Sequence, residues 1–521
     1  MDPTRRLILA GLAGAGALAG GPALVRAAGS AYPFSLGVAS GSPLPDSVIL
    51  WTRILADPFD PAPAPAVAYP VRWEVAEDAA FGRIAARGSA RAEPALAHSV
   101  HVDVRGLAPG RWYWYRFMLG AAVSPVGRTR TAPAPDAMPA MLKLAVASCQ
   151  HWEFGSYAAH RHIAAAAPDL VAFLGDYIYE WGPLRRTHPP RAVRSDESFT
   201  LTQYRARYAQ YKSDPDLQTA HHAAPWIVAW DDHEVANDYA AGRDERLAPD
   251  FLQRRANAYQ AFYEHMPLRV AAPAGMRFAD LRTIGHHAWG RLARFHLLDT
   301  RQYRSAQACQ PPGRGGSTST GPRRCPGLLD PSRSMLGQAQ EDWLAAGLRA
   351  SKARWNIIAQ QTPMAQSSQT PIVRPDGGRF WTDGWDGYPM ARARLFEALR
   401  HSGAANPVVL AGDVHTFYAS ELRTDFNRPA STRNPVVAAE FCGTSITSSS
   451  RPQARTLQYL DMNPHTKYGR SDKRGFMLME ISPARTTTHF LGLADVRDQK
   501  STLATLASFA LADGDPKIER L

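Results

Sequence analysis

Leu170-Val171-Ala172-Phe173-Leu174-Gly175-Asp176-Tyr177-Ile178-Tyr179-Glu180 joins an unbroken apolar run to carboxylates and phenols across a single glycine. A short apolar run closed by glycine suits a strand buried on both faces, as in a parallel sheet covered by helices. Side chains just past the C-terminal ends of such strands meet in one crevice. The same grammar recurs along the chain. The apolar segment 142–148 ends in Ser148-Cys149-Gln150, the segment 226–230 runs into Asp231-Asp232-His233-Glu234, and 407–411 runs into Gly412-Asp413-Val414-His415. Further apolar strands at 293–298, 355–359 and 476–481 and helical compositions at 158–167 and 251–265 complete an α/β pattern without internal repeats. The strand ends thus offer a thiol, carboxylates, a phenol and imidazoles, all of them metal ligands. Each alone has an ordinary explanation: a buried cysteine, a turn, or an acidic cluster capping a helix. Their succession after buried strands predicts one shared metal site.

The region before this block reads differently. Val71-Arg72-Trp73-Glu74-Val75 and Val100-His101-Val102-Asp103-Val104 alternate with period two. Leu107-Ala108-Pro109-Gly110 makes a turn into the aromatic strand Trp112-Tyr113-Trp114-Tyr115-Arg116-Phe117, which suits an immunoglobulin- or fibronectin-like sandwich with a tyrosine at its corner. The domain reading is a β-sandwich over 32–131, a linker marked by Pro133, Pro135 and Pro139, and an α/β domain over 141–495. A tail follows at 496–521, where 501–512 is rich in Ala and Leu and has the composition of a helix.

At the N-terminus, Thr4-Arg5-Arg6-Leu7-Ile8 opens a weakly apolar Gly/Ala-rich stretch that ends at Val25-Arg26-Ala27. That is the form of a secretory signal over 1–28, and the arginine pair points to the twin-arginine machinery, which exports folded proteins. The expectation is a periplasmic or secreted, monomeric protein whose mature form has no transmembrane span. An oxidising destination bears on Cys309 and Cys325, which flank a Gly/Pro/Ser/Arg-rich loop and are predicted to form a disulfide. Of the remaining cysteines, Cys442 reads as core. The net charge of +12 favours anionic partners such as phosphorylated substrates or lipid head groups, although an arginine-rich composition alone produces it. No stable nucleic-acid complex is expected.

The motif order resembles that of calcineurin-like metallophosphoesterases and purple acid phosphatases, which carry an Asp-bearing strand end, Gly-Asp-x-x-Asp/Tyr, Gly-Asn-His-Asp/Glu and Gly-His-x-His. Here Cys149 takes the first place, Tyr179 the second, Asp232 replaces the asparagine and Asp413 the first histidine of the last motif. With those departures the chain resembles the PhoD-like alkaline phosphatase/phosphodiesterase family. The likeness continues through Phe34-Ser35-Leu36-Gly37-Val38-Ala39-Ser40-Gly41, Leu298-Asp299-Thr300-Arg301-Gln302-Tyr303-Arg304, Trp385-Asp386-Gly387-Tyr388-Pro389 and Gly443-Thr444-Ser445-Ile446-Thr447-Ser448.

The resemblance implies an αββα metallophosphoesterase sandwich behind the β-sandwich. It also implies a two-metal hydrolysis of phosphate monoesters and diesters in which an activated water attacks phosphorus. Cys149, Asp176, Tyr179 and His415 form a donor set suited to Fe³⁺, with Asp176 bridging. Asp232 and Asp413 make the neighbouring position oxygen-rich, suited to Ca²⁺, Mg²⁺ or Mn²⁺; the resemblance itself implies iron with calcium. His233 either contacts the phosphoryl group and protonates the leaving oxygen, or orients Asp232. Arg301 is either a phosphate clamp or structural. Two other readings share the chain: a secreted phospholipase D using the same site, and a noncatalytic surface protein built on the front domain.

Overall fold

In the computed structural model, which describes residues 32–60, 65–184, 189–374 and 376–521, the strands Leu142–Ala147, Leu170–Leu174 and Trp226–Ala229 lie side by side and parallel. They sit in a ten-stranded sheet. A second, seven-stranded sheet carries the parallel strands Ala293–Leu297, Trp355–Ala359, Pro407–Ala411 and Val436–Cys442. The two sheets pack face to face because each offers an unbroken apolar surface. Leu144, Val146 and Ala172 from one interdigitate with Phe295, Ile357 and Leu410 from the other.

The outer faces are covered by helices. Leu201–Lys212 and Phe251–His265 pack aromatic side chains such as Tyr204, Tyr208 and Phe262 on the first sheet. Gln338–Arg349 and Pro389–Ser402 cover the second with Leu344, Leu348 and Phe396. The result is the four-layer αββα sandwich expected. The C-terminal strand ends of both sheets open on the same side, so the motifs read from the sequence face one another.

The front region is a β-sandwich, as its alternation predicts. A sheet built on Ile84–Ala92, Tyr69–Ala76 and Trp112–Leu119 faces Val38–Leu44, Ser47–Arg53 and Ser99–Arg105 across Val48, Leu50, Val71, Tyr113 and Phe117. The corner tyrosine is present. Tyr113 is 2% exposed, and its hydroxyl accepts the Ala108 N–H at 2.9 Å. Tyr113→Phe leaves that amide without its partner, and a cost of about 1–2 kcal/mol is expected. Chemical denaturation would read it as a lower midpoint at unchanged slope.

Two features depart from the expectation. The sandwich is not a separate sheet: its Val38–Leu44 strand pairs parallel with Trp226–Ala229 through Gly41 and Trp226, so the front strands extend the ten-stranded sheet. The C-terminal stretch is not helical. Leu503–Ala512 is a strand, antiparallel to Arg485–Leu493 and followed by Glu519–Arg520 at the sheet edge. Its Ala/Leu composition misleads, because Ala507, Phe509 and Leu511 recur with period two and enter the core between the sheets. An open ladder on Arg485–Leu493 then selects the strand. The tail at 496–521 is thus part of the α/β unit.

Cys309 and Cys325 are disulfide-bonded as predicted, and Cys442 is buried against Ala411 and Tyr418. The signal segment 1–28 lies outside the described residues. Among the described residues, no helix is long and apolar enough to cross a membrane.

Candidate metal centre

The strand ends meet because two glycines permit it. A Cβ on Gly175, whose φ is +98°, would lie 2.5 Å from Asp231 Cβ, and one on Gly412 would lie 2.3 Å from Ser148 Oγ. Beyond these contacts the backbone is held in unusual conformations. Cys149, Asp176, Asp238, Asp413 and His415 all have φ between 53° and 63°, a region that costs a non-glycine residue about 1–3 kcal/mol. Such clustering marks a functional site. The turns are pinned by Glu234, whose carboxylate accepts the N–H groups of Asp176, Tyr177 and Asp231 at 3.1, 2.6 and 2.6 Å.

Three groups of ligand atoms follow, joined by shared carboxylates. Cys149, Asp176 and His415 form the first, Asp176, Asp232 and His233 the second, and Asp232, Asp238 and Asp383 the third. Tyr179 completes the first, with its hydroxyl 2.8 Å from Asp176 Oδ2 and 3.2 Å from His415 Nε2. His415 donates Nδ1–H to the Ser449 carbonyl at 2.7 Å, which leaves Nε2 as the atom facing the cluster. Asp413 belongs to none of the three groups, but lines the same cleft and encloses an Oδ2 that makes no hydrogen bond.

The electrostatics fit bound cations. Asp176 Oδ1, Asp231 Oδ2, Asp232 Oδ1 and Asp413 Oδ2 are buried with no hydrogen bond. Arg301 balances part of this charge through Asp231 and Asp232, and the remainder is costly to bury unless a counter-ion meets it. Burial, then the neighbouring carboxylates Asp232, Asp383 and Asp176, push Asp413 up to about 8 against the pull of Arg301. Asp238 is pushed up to about 7, first by burial and then by Asp383 and Asp232. Burial and Asp176 likewise hold the Cys149 thiol well above its usual range. Oxygen-rich donors at the Asp232–Asp238–Asp383 end suit a hard divalent ion, while the thiol, phenol and imidazole lie at the other end.

His233 lies between the groups. Its Nδ1 is 2.8 Å from Glu180 Oε2, and its ring packs 4.1 Å from that of Tyr179 and 4.4 Å from that of Trp181. Burial alone would lower its pKa, but Glu180, Asp232 and Asp176 outweigh this and hold it well above the usual imidazole value. A cleft of about 500 Å³ opens over Asp176, Asp232, His233 and His415 and continues past Trp381 and Tyr418.

Arg301 is not the phosphate clamp that its motif allowed. Its side chain is 0% exposed, with Nε on Asp231, Nη1 on Asp383 at 2.6 Å and Nη2 3.5 Å from Asp232. The guanidinium is committed to the carboxylates beneath the site. Asp238, Asp383, Glu180 and Glu234 play parts that the sequence reading did not assign. Asp383 had a signal nearby, two residues before Trp385-Asp386-Gly387, and Asp238 lies six residues after Asp232 in the turn that follows it.

Residues 144–490 match the family model described as PhoD-like phosphatase, and residues 19–133 match that of its N-terminal domain. The chain belongs to the PhoD-like phosphatase family. It is 43% identical to alkaline phosphatase D of Bacillus subtilis (strain 168) over 493 residues, covering 92% of this chain and 81% of that one. A solved structure of PhoD superposes with a TM-score of 0.88 at 42% identity, covering 94% of this chain and 92% of the other. A purple acid phosphatase from yellow lupin seeds shares the fold alone, with a TM-score of 0.55 at 12% identity over 92% of this chain and 74% of the other. This PhoD-like chain is therefore a hydrolase acting on phosphoric esters, in a family whose fold is built around metal ions.

Proposed function

We propose that the protein is an exported phosphatase and phosphodiesterase. In this reading, ferric iron is held by Cys149, Asp176, Tyr179 and His415, and calcium, or Mg²⁺ or Mn²⁺, by Asp232, Asp413 and the adjoining carboxylates. The observation that carries it is a chain of shared carboxylates: Asp176 joins the thiol–phenol–imidazole group to Asp232 and His233, and Asp232 joins these to the all-oxygen group with Asp238 and Asp383. Bound there, the ions supply Lewis acidity toward the phosphoryl oxygens and lower the pKa of a water molecule. The chain's own residues do the rest. Glu180 fixes the His233 ring by accepting Nδ1–H, so Nε2–H is the proton left to meet an ester oxygen in the cleft. No serine nucleophile is required. Arg301 and Arg304 hold Asp383 in place, and Arg301 also holds Asp231. Export of the folded, loaded enzyme by the twin-arginine route is supported by the signal-like segment 1–28 and the Cys309–Cys325 disulfide.

Cys149→Ala tests the assignment at its most distinctive position. The variant is expected to purify without iron and to lose at least ~100-fold in kcat/KM on phosphate esters. Elemental analysis and initial rates on a monoester and a diester would show it. Full iron content with an unchanged rate would refute the ligand set.

A further inference from the structure

We infer that Ser448 is a positioning residue for the phenolic oxygen of Tyr179 and sets how much charge that oxygen gives to a cation beside it. The inference rests on the reading of Cys149, Asp176, Tyr179 and His415 as a ferric site. The Tyr179 oxygen has three polar neighbours: Asp176 Oδ2 at 2.8 Å, His415 Nε2 at 3.2 Å and Ser448 Oγ at 2.7 Å. The first two are ligand atoms that present lone pairs to the site. Ser448 is the neighbour with a proton to give.

Its geometry restricts that proton. Ser448 is 1% exposed, and its Oγ accepts the His151 N–H at 3.1 Å. One hydrogen then remains, with two acceptors in reach: the Cys149 carbonyl at 3.0 Å and the Tyr179 oxygen at 2.7 Å. A phenolate accepts more strongly than a neutral carbonyl, so a Tyr179 that has given up its proton to bind a cation captures the Ser448 hydroxyl. The turn that carries Ser448 is fixed relative to the other ligands. Arg474 Nη1 donates to the Ser448 carbonyl at 2.7 Å and to the His415 carbonyl at 3.0 Å, and Ser445 Oγ also donates to the Ser448 carbonyl. Donor and ligands therefore share one frame. A hydrogen bond donated to an anionic ligand draws charge away from the metal. It raises the energy of the phenolate-to-iron transition, raises the reduction potential and leaves the ion a stronger Lewis acid.

The test uses iron-loaded full-length protein as wild type, Ser448→Ala, Ser448→Thr and Tyr179→Phe, with visible absorption, reduction potential and iron content measured on each. Wild type is expected to show a charge-transfer band that Tyr179→Phe abolishes. Ser448→Ala is expected to keep its iron while the band moves to longer wavelength and the potential becomes more negative, and Ser448→Thr to return both toward wild type. In the unmutated protein, the tyrosinate C–O vibration is expected to shift in D₂O, a readout that needs no variant to fold. A Ser448→Ala band and potential equal to wild type, or no D₂O shift, would overturn the role of Ser448 while leaving the ferric site intact. A wild-type spectrum indifferent to Tyr179→Phe would instead sink the ferric-tyrosinate reading and this inference with it.

Discussion

An Asp383→Ala variant is expected to be about 3–5 kcal/mol less stable than wild type, the penalty for removing one partner of a buried ion pair. Asp383 is completely buried and joins Arg301 Nη1 at 2.6 Å to Arg304 and to Gln307 Nε2 at 2.7 Å. Arg304 is fully buried and has no other carboxylate among its described ion pairs. Removing the acid leaves that guanidinium with only carbonyl partners, those of Tyr239 and of residue 383 itself. Asp383→Asn keeps the shape but not the charge, and a comparable loss is expected. Urea denaturation with excess calcium would measure both. Midpoints equal to wild type would show that Arg304 needs no counter-charge. Activity is expected to fall with stability, since Asp383 also closes the third carboxylate group.

The metal-loaded protein is also expected to unfold as pH falls from about 6.5 toward 4. Five histidines, His160, His221, His265, His296 and His465, are at most 2% exposed. Burial lowers His160 to about 3 and His296 and His465 to about 4. His221 and His265 lie well below the usual value, with Lys212 and Arg53 respectively adding to burial. His265 shows why: Nδ1–H donates to the Ala261 carbonyl at 2.6 Å, and Nε2 accepts from Arg53 at 2.8 Å. A second proton would face the guanidinium. With folded pKa values below the unfolded value of about 6.5, the unfolded chain takes up protons first, so stability falls as pH falls through this window. Glu440, pushed up to about 7 by burial, works in the opposite sense. Each such histidine costs about 1.4 kcal/mol per pH unit between its two pKa values, against a usual total stability of about 5–15 kcal/mol. Far-UV circular dichroism against pH would show the transition. A fold intact at pH 4 with an unchanged thermal midpoint would contradict it. In metal-free protein the raised carboxylates at the site oppose this trend, so the cations must be present.

Much of the site was legible because its ligands follow apolar strands directly. Cys149, Asp176, Asp232 and Asp413 each stand within three residues of a strand end, and a parallel sheet brings such ends together. Asp238 and Asp383 escaped because they lie in turns, where no periodicity tells which way a side chain points. Arg301 was visible, but its burial was not: the sequence places it after a strand and says nothing of the carboxylates that surround it. The tail at 503–512 was misread for a related reason. Alanine and leucine suit helices when nothing competes, whereas here an open sheet edge and a period-two apolar face decide.

The place of the Leu142–Ala147 strand in its sheet has a consequence for biosynthesis. That strand, which leads into Cys149, is paired on one side with Leu170–Leu174 and on the other with Gly475–Ile481, through contacts such as Val146 with Met477. A chain still emerging from the ribosome has the first neighbour long before the second. The walls of the site around Cys149 are therefore finished only when nearly the whole polypeptide has been made, and pairings so distant in sequence form slowly. Cation capture becomes one of the last events of maturation, after translation has ended.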